Sequence, residues 1–393
     1  MSVPTIEIVD ITNNNTQSSA LVEAERMANI CNACRYCEGF CAVFPAITQR
    51  RNFNEHDLEY LANLCHNCGA CYHACQYAPP HEFSINLPQT LAELRAETYQ
   101  KYAWPVKLGS LFHRNGLMVA ISVVLAMILL MSGLLLFQDS TPVFAEHLGE
   151  GAFYQVISHQ AMVALAGTSF GFSIIALFVS FIKFCRANSI TLAHVFSNNV
   201  LVKASYAAGT LKYLDGGNGQ GCHTKDESFS NKRRYFHHAM AWGFVLCFLA
   251  TSVATLFEYT LDIMSPFPVI SLPVILGSLG GLGLIVGPLG LLWLKMITDP
   301  KIMSIKHLGM DYAFLLLLLF ISITGFLLLG FRSTSAMGML LIIHLGFVFG
   351  LFLVLPYSKF VHALYRFVAL LKFYHEQEAT KNKLNSSRYI ANK

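Results

Sequence analysis

Charged side chains are scarce in this chain of 393 residues. Lysine, arginine, aspartate and glutamate make up only 13% of the sequence, hydrophobic residues make up 54%, and the mean hydropathy is +0.49. A soluble globular chain carries about a quarter charged residues, so lipid is the expected surrounding of much of the protein. The formal net charge is +4 without any basic block, which argues against nucleic acid as a partner.

Two other features are missing. The N-terminal stretch "TNNNTQSS" is polar and contains no charged segment followed by an apolar one, so a cleavable signal peptide is not expected. No residues are arranged for general acid–base or nucleophilic catalysis, so we do not expect this chain to convert a substrate itself. The cysteines are expected in a reducing cytosol, where clustered thiols serve metal binding or redox chemistry.

The chain does have long apolar stretches, all of them after residue 110. Each stretch is long enough for a membrane helix, which needs about 20 residues. They cover approximately residues 117–137, 153–182, 237–257, 269–297, 311–331 and 337–358. The loops at 138–152, which includes Asp139, and at 258–268 lack Lys and Arg, whereas loop 183–235 and the C-terminal tail are rich in them. The positive-inside rule therefore predicts a multi-pass protein of a bacterial inner membrane with both termini in the cytoplasm.

Eight of the eleven cysteines form two runs of identical spacing, C-x2-C-x2-C-x3-C, which begin 34 residues apart. In two-cluster ferredoxins, three cysteines of a run hold one iron–sulfur cluster and the fourth ligates the other cluster. The spacing therefore predicts two [4Fe–4S] clusters. The first cluster is assigned to Cys31, Cys34, Cys37 and Cys75, and the second to Cys65, Cys68, Cys71 and Cys41.

Zinc and disulfides are the alternatives for these cysteines. Zinc sites typically pair two short C-x-x-C elements across a longer gap and leave a third cysteine in the same run without a role, and a reducing compartment disfavours disulfides. The segment "NEHDLEYLANL" between the runs has a helical pattern. We therefore expect an all-α protein: a cytoplasmic helical ferredoxin-like domain at 1–110, a six-helix transmembrane domain at 111–375 and a cytoplasmic tail at 376–393.

Histidines within or beside the apolar stretches suggest axial ligands for haem, because ligating residues in a bilayer are costly and imply function. His344 and His362 are 18 residues apart, which is five helical turns, or about 27 Å along one helix face. His237 or His238 lies at the depth of His362, and His238 is favoured as the inward-facing one. His159 lies at the depth of His344. The depths predict one or two b-type haems, held by His238–His362 and by His159–His344.

Two details of these spans leave alternatives open. Pro356 lies between His344 and His362, and proline interrupts an α-helix when it occurs in the interior. The fourth span is rich in glycine, either because small residues let two helices pack closely or because they make room for a flat cofactor. The glycines are Gly277, Gly280, Gly281, Gly283, Gly287 and Gly290.

The sequence also resembles known families. The last span, with its His–x17–His spacing and "PYSKFVH" ending, resembles the final helix of the dihaem gamma subunit of nitrate reductase, although that family pairs these histidines with two on a single earlier helix. The cysteine runs, "HEFSINLPQTLAELR", "RRYFHHAMAWGFVLCFLATSVATLFEY" and "LPYSKFVHALYRFVALL" resemble the CitB-type (TcuB) family of tricarballylate and citrate utilisation. That resemblance implies a membrane protein that reoxidises an FAD-dependent dehydrogenase, similar to tricarballylate dehydrogenase, and passes electrons to quinone.

The leading hypothesis is therefore electron transfer from a partner flavoprotein to the quinone pool through two [4Fe–4S] clusters and b-type haem. One alternative is a subunit similar to heterodisulfide or thiol reductases, for which Cys222 is the single candidate redox thiol, although an ordinary loop cysteine is the simpler interpretation. Another alternative is a transporter with a regulatory iron–sulfur domain.

Overall fold

A computed structural model gives the fold and describes residues 18–113, 116–137, 141–197, 199–217, 219–226 and 228–391. The polar N-terminal stretch and Asp139 of the 138–152 loop, both used above, lie outside these residues. The described chain is almost entirely helical, apart from one two-stranded hairpin. The predicted all-α class is confirmed.

The N-terminal domain is a set of short helices. They are α1 (Ser19–Cys34), α2 (Val43–Thr48), α3 (Glu55–Leu64), α4 (Ala70–His73), α5 (Leu87–Lys101) and α6 (Val106–His113). Side chains that accept from free backbone N–H groups begin three of them: Ser18 accepts from Leu21, Asn54 from Asp57 and Asn86 from Gln89. The helix predicted between the two cysteine runs is confirmed as α3.

Among the residues that the structure describes, six helices are long and apolar enough to cross a membrane, as predicted. The remaining elements are α7 (Gly116–Phe137), α8 (Ala152–Val156), α9 (His159–Ala187), α10 (Leu192–Phe196), α11 (Val200–Gly209), β1 (Cys222–His223), β2 (Phe229–Ser230), α12 (Lys232–Leu261), α13 (Leu272–Ile297), α14 (Leu308–Phe331), α15 (Met337–Val354) and α16 (His362–Ala391). Helices α7, α9, α12, α13, α14 and α15 form the membrane bundle, and short 3-10 turns join several elements. The 3-10 turns are Thr141–Phe144, Pro300–Ile302, Ile305–His307, Leu355–Tyr357 and Lys359–Val361.

The glycines of α13 bring its backbone against α12. A Cβ atom added at Gly283 would lie 2.6 Å from the carbonyl oxygen of Ala239, and one added at Gly280 would lie 2.8 Å from the backbone nitrogen of Cys247. Contacts this short exist only because no side chain is present. Close helix packing, the first of the two interpretations above, therefore accounts for these two glycines.

The expectation that His344 and His362 share one continuous helix is wrong. Helix α15 ends at Val354, two 3-10 turns follow, and His362 is the first residue of α16. Pro356 lies in the first of these turns; it has no N–H to continue the α-helical bonding, and its ring crowds the preceding turn. The two histidines are thus carried by different helices.

Helix α16 returns to the N-terminal domain. Its residues from Ala369 to Tyr374 lie in the same apolar core as α1, α3 and α5. Arg50 of the N-terminal domain pairs with Glu376 of α16 at 2.6 Å. The predicted boundary at residue 376 therefore falls inside a helix that connects the membrane bundle to the N-terminal domain.

Candidate electron-transfer site

The first group of cysteines lines an open cavity at the surface of the N-terminal domain. This group consists of Cys31, Cys34, Cys37 and Cys75. Cys31 and Cys34 occupy the last turn of α1, and Arg35, at φ 58°, ends that helix and turns the chain toward Cys37. Cys34 is exposed, whereas the other three are partly buried. Burial and the nearby thiols raise the pKa of both Cys31 and Cys37 to about 12.

The second group lies deeper. It consists of Cys41, Cys65, Cys68 and Cys71, which line a cavity of their own. Gly69, at φ +78°, turns the chain between Cys68 and Cys71, and a Cβ atom there would meet the carbonyl oxygen of His223 at 2.9 Å. The backbone N–H of Asn67 donates to the Cys65 sulfur at 3.3 Å. Burial raises the pKa of Cys41 and Cys71 well above its usual value.

The structure groups the eight thiols in the same crossed pattern that the spacing predicts. Cys75 joins the first run and Cys41 joins the second. Thiols that resist ionisation through burial and mutual repulsion suit a positively charged iron core, because a bound metal stabilises thiolates. Among the described residues, no three metal-binding side chains gather around a single-ion position. The donor set fits the [4Fe–4S] assignment, which stays a prediction.

Two histidines face each other where the membrane bundle meets the N-terminal domain. The rings of His237 on α12 and His362 on α16 have centroids 6.0 Å apart and planes at 88°. Nδ1 of His362 hydrogen-bonds the carbonyl oxygen of Lys359. Such a bond leaves Nε2 free, as is usual for a metal-bound histidine. Among the described groups, Nδ1 of His237 is a buried nitrogen without a hydrogen-bond partner.

This arrangement corrects the preference for His238. Adjacent helical residues point about 100° apart, and the packing of α12 on α13 turns His237 toward His362. His237 and His362 are the residues that would hold the iron of a haem, which would supply a one-electron carrier at this position. Burial and the nearby Arg366 lower the pKa of His362 well below its usual value, so its ring stays neutral, as ligation requires.

A cavity around this histidine pair is strongly cationic. It encloses about 1200 Å³ of space between atoms, open solvent included. The cationic residues that line it are Arg95, Arg233, Lys295, Lys359 and Arg366. Asp311 is the single carboxylate among its described lining residues and pairs with Lys295 at 2.5 Å and Lys359 at 2.8 Å. The excess positive charge and the histidine pair together fit a haem, which carries two propionates.

The structure does not bring His159 and His344 together. His159, the first residue of α9, lies 3.6 Å from Glu258 through its Nε2 atom and packs its ring against Tyr154 and Tyr259. His344 lies within α15, and its Nδ1 is 3.1 Å from the Thr324 hydroxyl. The two rings contact different neighbours, so the structure does not support the predicted second haem pair, which stays a prediction.

Sequence reasoning did not predict the contacts of three arginines with the second cysteine loop, and it misplaced a cysteine. Arg95, Arg233 and Arg366 hydrogen-bond backbone carbonyls of the loop that carries Cys65. For Arg233 and Arg366 the signal is visible in retrospect as Arg–x3–His in "RRYFH" and His–x3–Arg in "HALYR". Cys222, expected in an open loop, is buried in β1 and packs against Cys68.

The fold and these cavities define a class: a multi-pass membrane protein with a helical, ferredoxin-like N-terminal domain. Citrate utilization protein B of Escherichia coli is 49% identical over 359 residues, which cover 91% of this chain and 93% of that protein. The profile of the family citrate utilization protein B matches residues 110–383, and that of its Fer4-like domain matches residues 24–101. The chain belongs to the citrate utilization protein B family, as the resemblance indicated. No solved structure matches the chain.

Proposed function

We propose that this protein reoxidises a partner FAD-dependent dehydrogenase, similar to tricarballylate dehydrogenase, and delivers the electrons to quinone in a bacterial inner membrane. Iron–sulfur clusters and a b-type haem, when bound, supply one-electron carriers for this task. One observation carries the proposal: two thiol-lined cavities and a facing histidine pair follow one another from the surface of the N-terminal domain to the membrane bundle.

The residues that would hold these carriers follow from the site. The first thiol group would hold the outer cluster, the second group would hold the inner cluster, and His237 with His362 would hold the haem. Cys37 of the first group lies within electrostatic reach of Cys71 of the second. Backbone contacts join the second group to the histidine cavity, since Arg233 of the cavity donates to the carbonyl oxygen of Asn67 at 2.5 Å.

The first cavity is the proposed contact for the flavoprotein. Cys34 is exposed there. Tyr36, which lines the cavity, is 67% exposed, and Phe83, which packs against the lining residue Tyr77, is 45% exposed. Exposed aromatic side chains are enriched in protein interfaces. The second cavity is more deeply buried, so an electron from outside would arrive at the first. The name of the bacterial relative, citrate utilization protein B, fits a donor that oxidises a tricarboxylate.

The orientation of the proposal rests on charge. The loop between α9 and α12 and the tail, both rich in Lys and Arg, lie on the same side of the bundle as the N-terminal domain. The positive-inside rule would place that side in the cytoplasm. The flavoprotein would then be a soluble cytoplasmic protein, and the quinone would approach the histidine pair from the adjoining leaflet.

Composition of the purified protein tests this proposal. The full chain would be prepared anaerobically in detergent from cells supplied with iron and a haem precursor. We expect about eight iron atoms and eight sulfides per chain for two four-iron clusters, together with a b-type haem spectrum that appears on reduction. A quinone analogue should reoxidise the reduced protein. A colourless preparation, or one with clusters but no haem band, would contradict the proposed route to quinone.

A further inference from the structure

We infer that Arg233 and Arg366 are positioning residues that fix the second cysteine loop over the histidine pair and raise the reduction potential of the inner cluster. The inference rests on the proposed function, because it takes Cys65 and Cys68 as ligands of that cluster. It assigns a role to two side chains that neither bind iron nor contact substrate.

The first half of the arrangement comes from α12. Arg233 precedes His237 by four residues, which is about one helical turn. Its guanidinium reaches away from the membrane to the second cysteine loop and donates to the carbonyl oxygens of Asn67 at 2.5 Å and His66 at 3.1 Å. One helix thus presents a histidine to the cavity and, a turn away, a cation to the loop between Cys65 and Cys68.

Helix α16 carries the same two residue types at the same spacing but in the reverse order, with the histidine before the arginine. Arg366 follows His362 by four residues and donates to the carbonyl oxygens of Cys65 at 2.8 Å and Asn63 at 3.3 Å. Arg95 from α5 adds a third guanidinium, 2.5 Å from the same Cys65 oxygen. Each facing histidine therefore has an arginine one turn away, and both arginines hold the same short stretch of backbone.

Burial of these three guanidinium groups costs free energy unless a negatively charged group lies near them. Within the described part of the chain, none of the three arginines forms an ion pair with a carboxylate. Arg95 is buried, and burial lowers the pKa of Arg366 to about 10. A buried charge without a partner is strongly unfavourable. An iron–sulfur cluster with four thiolate ligands carries negative charge, which increases on reduction, and would compensate these cations together with the haem propionates.

The electrostatic consequence has a definite sign. Positive charge beside a cluster stabilises its reduced, more negative form and so raises its reduction potential, and net charge and hydrogen bonding are known determinants of that potential. The first cysteine group receives no hydrogen bond from these arginines in the described structure, so its potential should be insensitive to them. The inner cluster would thereby attract electrons from the outer one.

Redox titration of the full-length protein in detergent, followed by electron paramagnetic resonance of both clusters, tests the inference. Arg233→Gln and Arg366→Gln should each lower the equilibrium constant for reduction of the inner cluster about tenfold. This corresponds to a fall of about 59 mV in its reduction potential for a one-electron couple. The potential of the outer cluster should not change. Arg234→Gln is the matched control, because Arg234 neighbours Arg233 but donates to the carbonyl oxygen of Thr210 at 2.7 Å.

A charge-preserving variant covers the case in which a glutamine variant loses its inner cluster. Arg233→Lys keeps the cation and loses the two-pronged contact, so its inner-cluster potential should stay closer to that of the unmodified protein than that of Arg233→Gln. Equal shifts in Lys and Gln variants, shifts shared by both clusters, or no shift would overturn the inference. If the unmodified protein shows no cluster signals, the proposed function itself fails instead.

Discussion

At the end of the membrane bundle nearest the N-terminal domain, His237 and His362 face each other with ring centroids 6.0 Å apart. At the opposite end, His159 turns to Glu258 and His344 turns to Thr324. The sequence predicts matching depths for both pairs, so predicted depth alone does not identify a ligand pair. The helix faces must also point at each other, and only the first end has helices rotated and spaced for that.

The neighbours of the two pairs differ as well. Around His237 and His362 the charged side chains are mostly cationic, and the loop of the second cysteine group lies close by. Around His159 the charged neighbour is a carboxylate, Glu258, which also accepts from the hydroxyl groups of Tyr154 and Ser265. Because Glu258 already accepts hydrogen bonds from these local donors, the group of side chains around His159 has a structural role at a helix end. The comparison therefore predicts one haem per chain, bound beside the N-terminal domain.

Loss of either facing histidine should have the largest effect. We expect His362→Ala and His237→Ala to abolish the b-type haem spectrum, because each would remove an axial ligand, while both clusters remain. His238→Ala is the matched control and should keep the full haem band. Reduced-minus-oxidised visible spectra, normalised to iron in the clusters, would measure this. A haem band that survives His237→Ala but disappears in His238→Ala would reverse the assignment.

The next largest effect on stability and haem content is expected from a methyl group added to α13 where it contacts α12. In Gly283→Ala the new Cβ would lie 2.6 Å from the Ala239 carbonyl oxygen, so α12 and α13 must separate near His237. Overpacking of this kind costs about 1–3 kcal/mol, and we expect a lower unfolding temperature in detergent and reduced haem content.

Gly277→Ala, on the same helix toward the opposite end, serves as the control for this change. Its Cβ would meet the Ala250 Cβ at 3.6 Å, an ordinary contact. The unfolding temperature and haem content of this variant should stay close to those of the unmodified protein. Equal losses in the two variants would show that the close approach beside His237 has no special importance.

Local spacing was sufficient to predict the parts of the site that depend on neighbouring residues. The C-x2-C-x2-C-x3-C runs predict the grouping that places Cys75 with Cys31 and Cys41 with Cys65, because in two-cluster ferredoxins the fourth cysteine of each run ligates the other cluster. The six membrane helices follow from long apolar stretches. The first prediction uses a motif with a known pairing rule, and the second uses a property averaged over many residues.

What the sequence did not predict depends on helix rotation and on backbone acceptors. The choice between His237 and His238 is a rotation of about 100° that packing against α13 decides, and no property of either residue reveals it. The arginines that hold the Cys65 loop were missed because their acceptors are carbonyl oxygens, which every residue has. The structure does not support His159 as a haem ligand because its ring is held by Glu258, which lies 99 positions away in the sequence.

Removal of His344 should have a modest effect on stability and none on haem. His344→Ala loses the contact with the Thr324 hydroxyl, worth about 1 kcal/mol, so the unfolding temperature in detergent should fall slightly while the haem band persists. A double-mutant cycle with Thr324→Ala would isolate the coupling between the two side chains. Loss of haem absorbance in His344→Ala would show that a second ligand pair exists at this end of the bundle.

The smallest effect is expected at the opposite rim, where Glu258→Gln removes a charge but keeps an oxygen that accepts from Tyr154 and Ser265. The lost attraction to the half-buried His159 is worth about 0–1 kcal/mol, since the pair is partly open to solvent. We expect an almost unchanged unfolding temperature and an unchanged haem-to-iron ratio. A clear loss of quinone-dependent reoxidation in this variant, with haem and clusters intact, would instead place the quinone at this rim, because electron delivery would then require a group that lies far from the histidine pair.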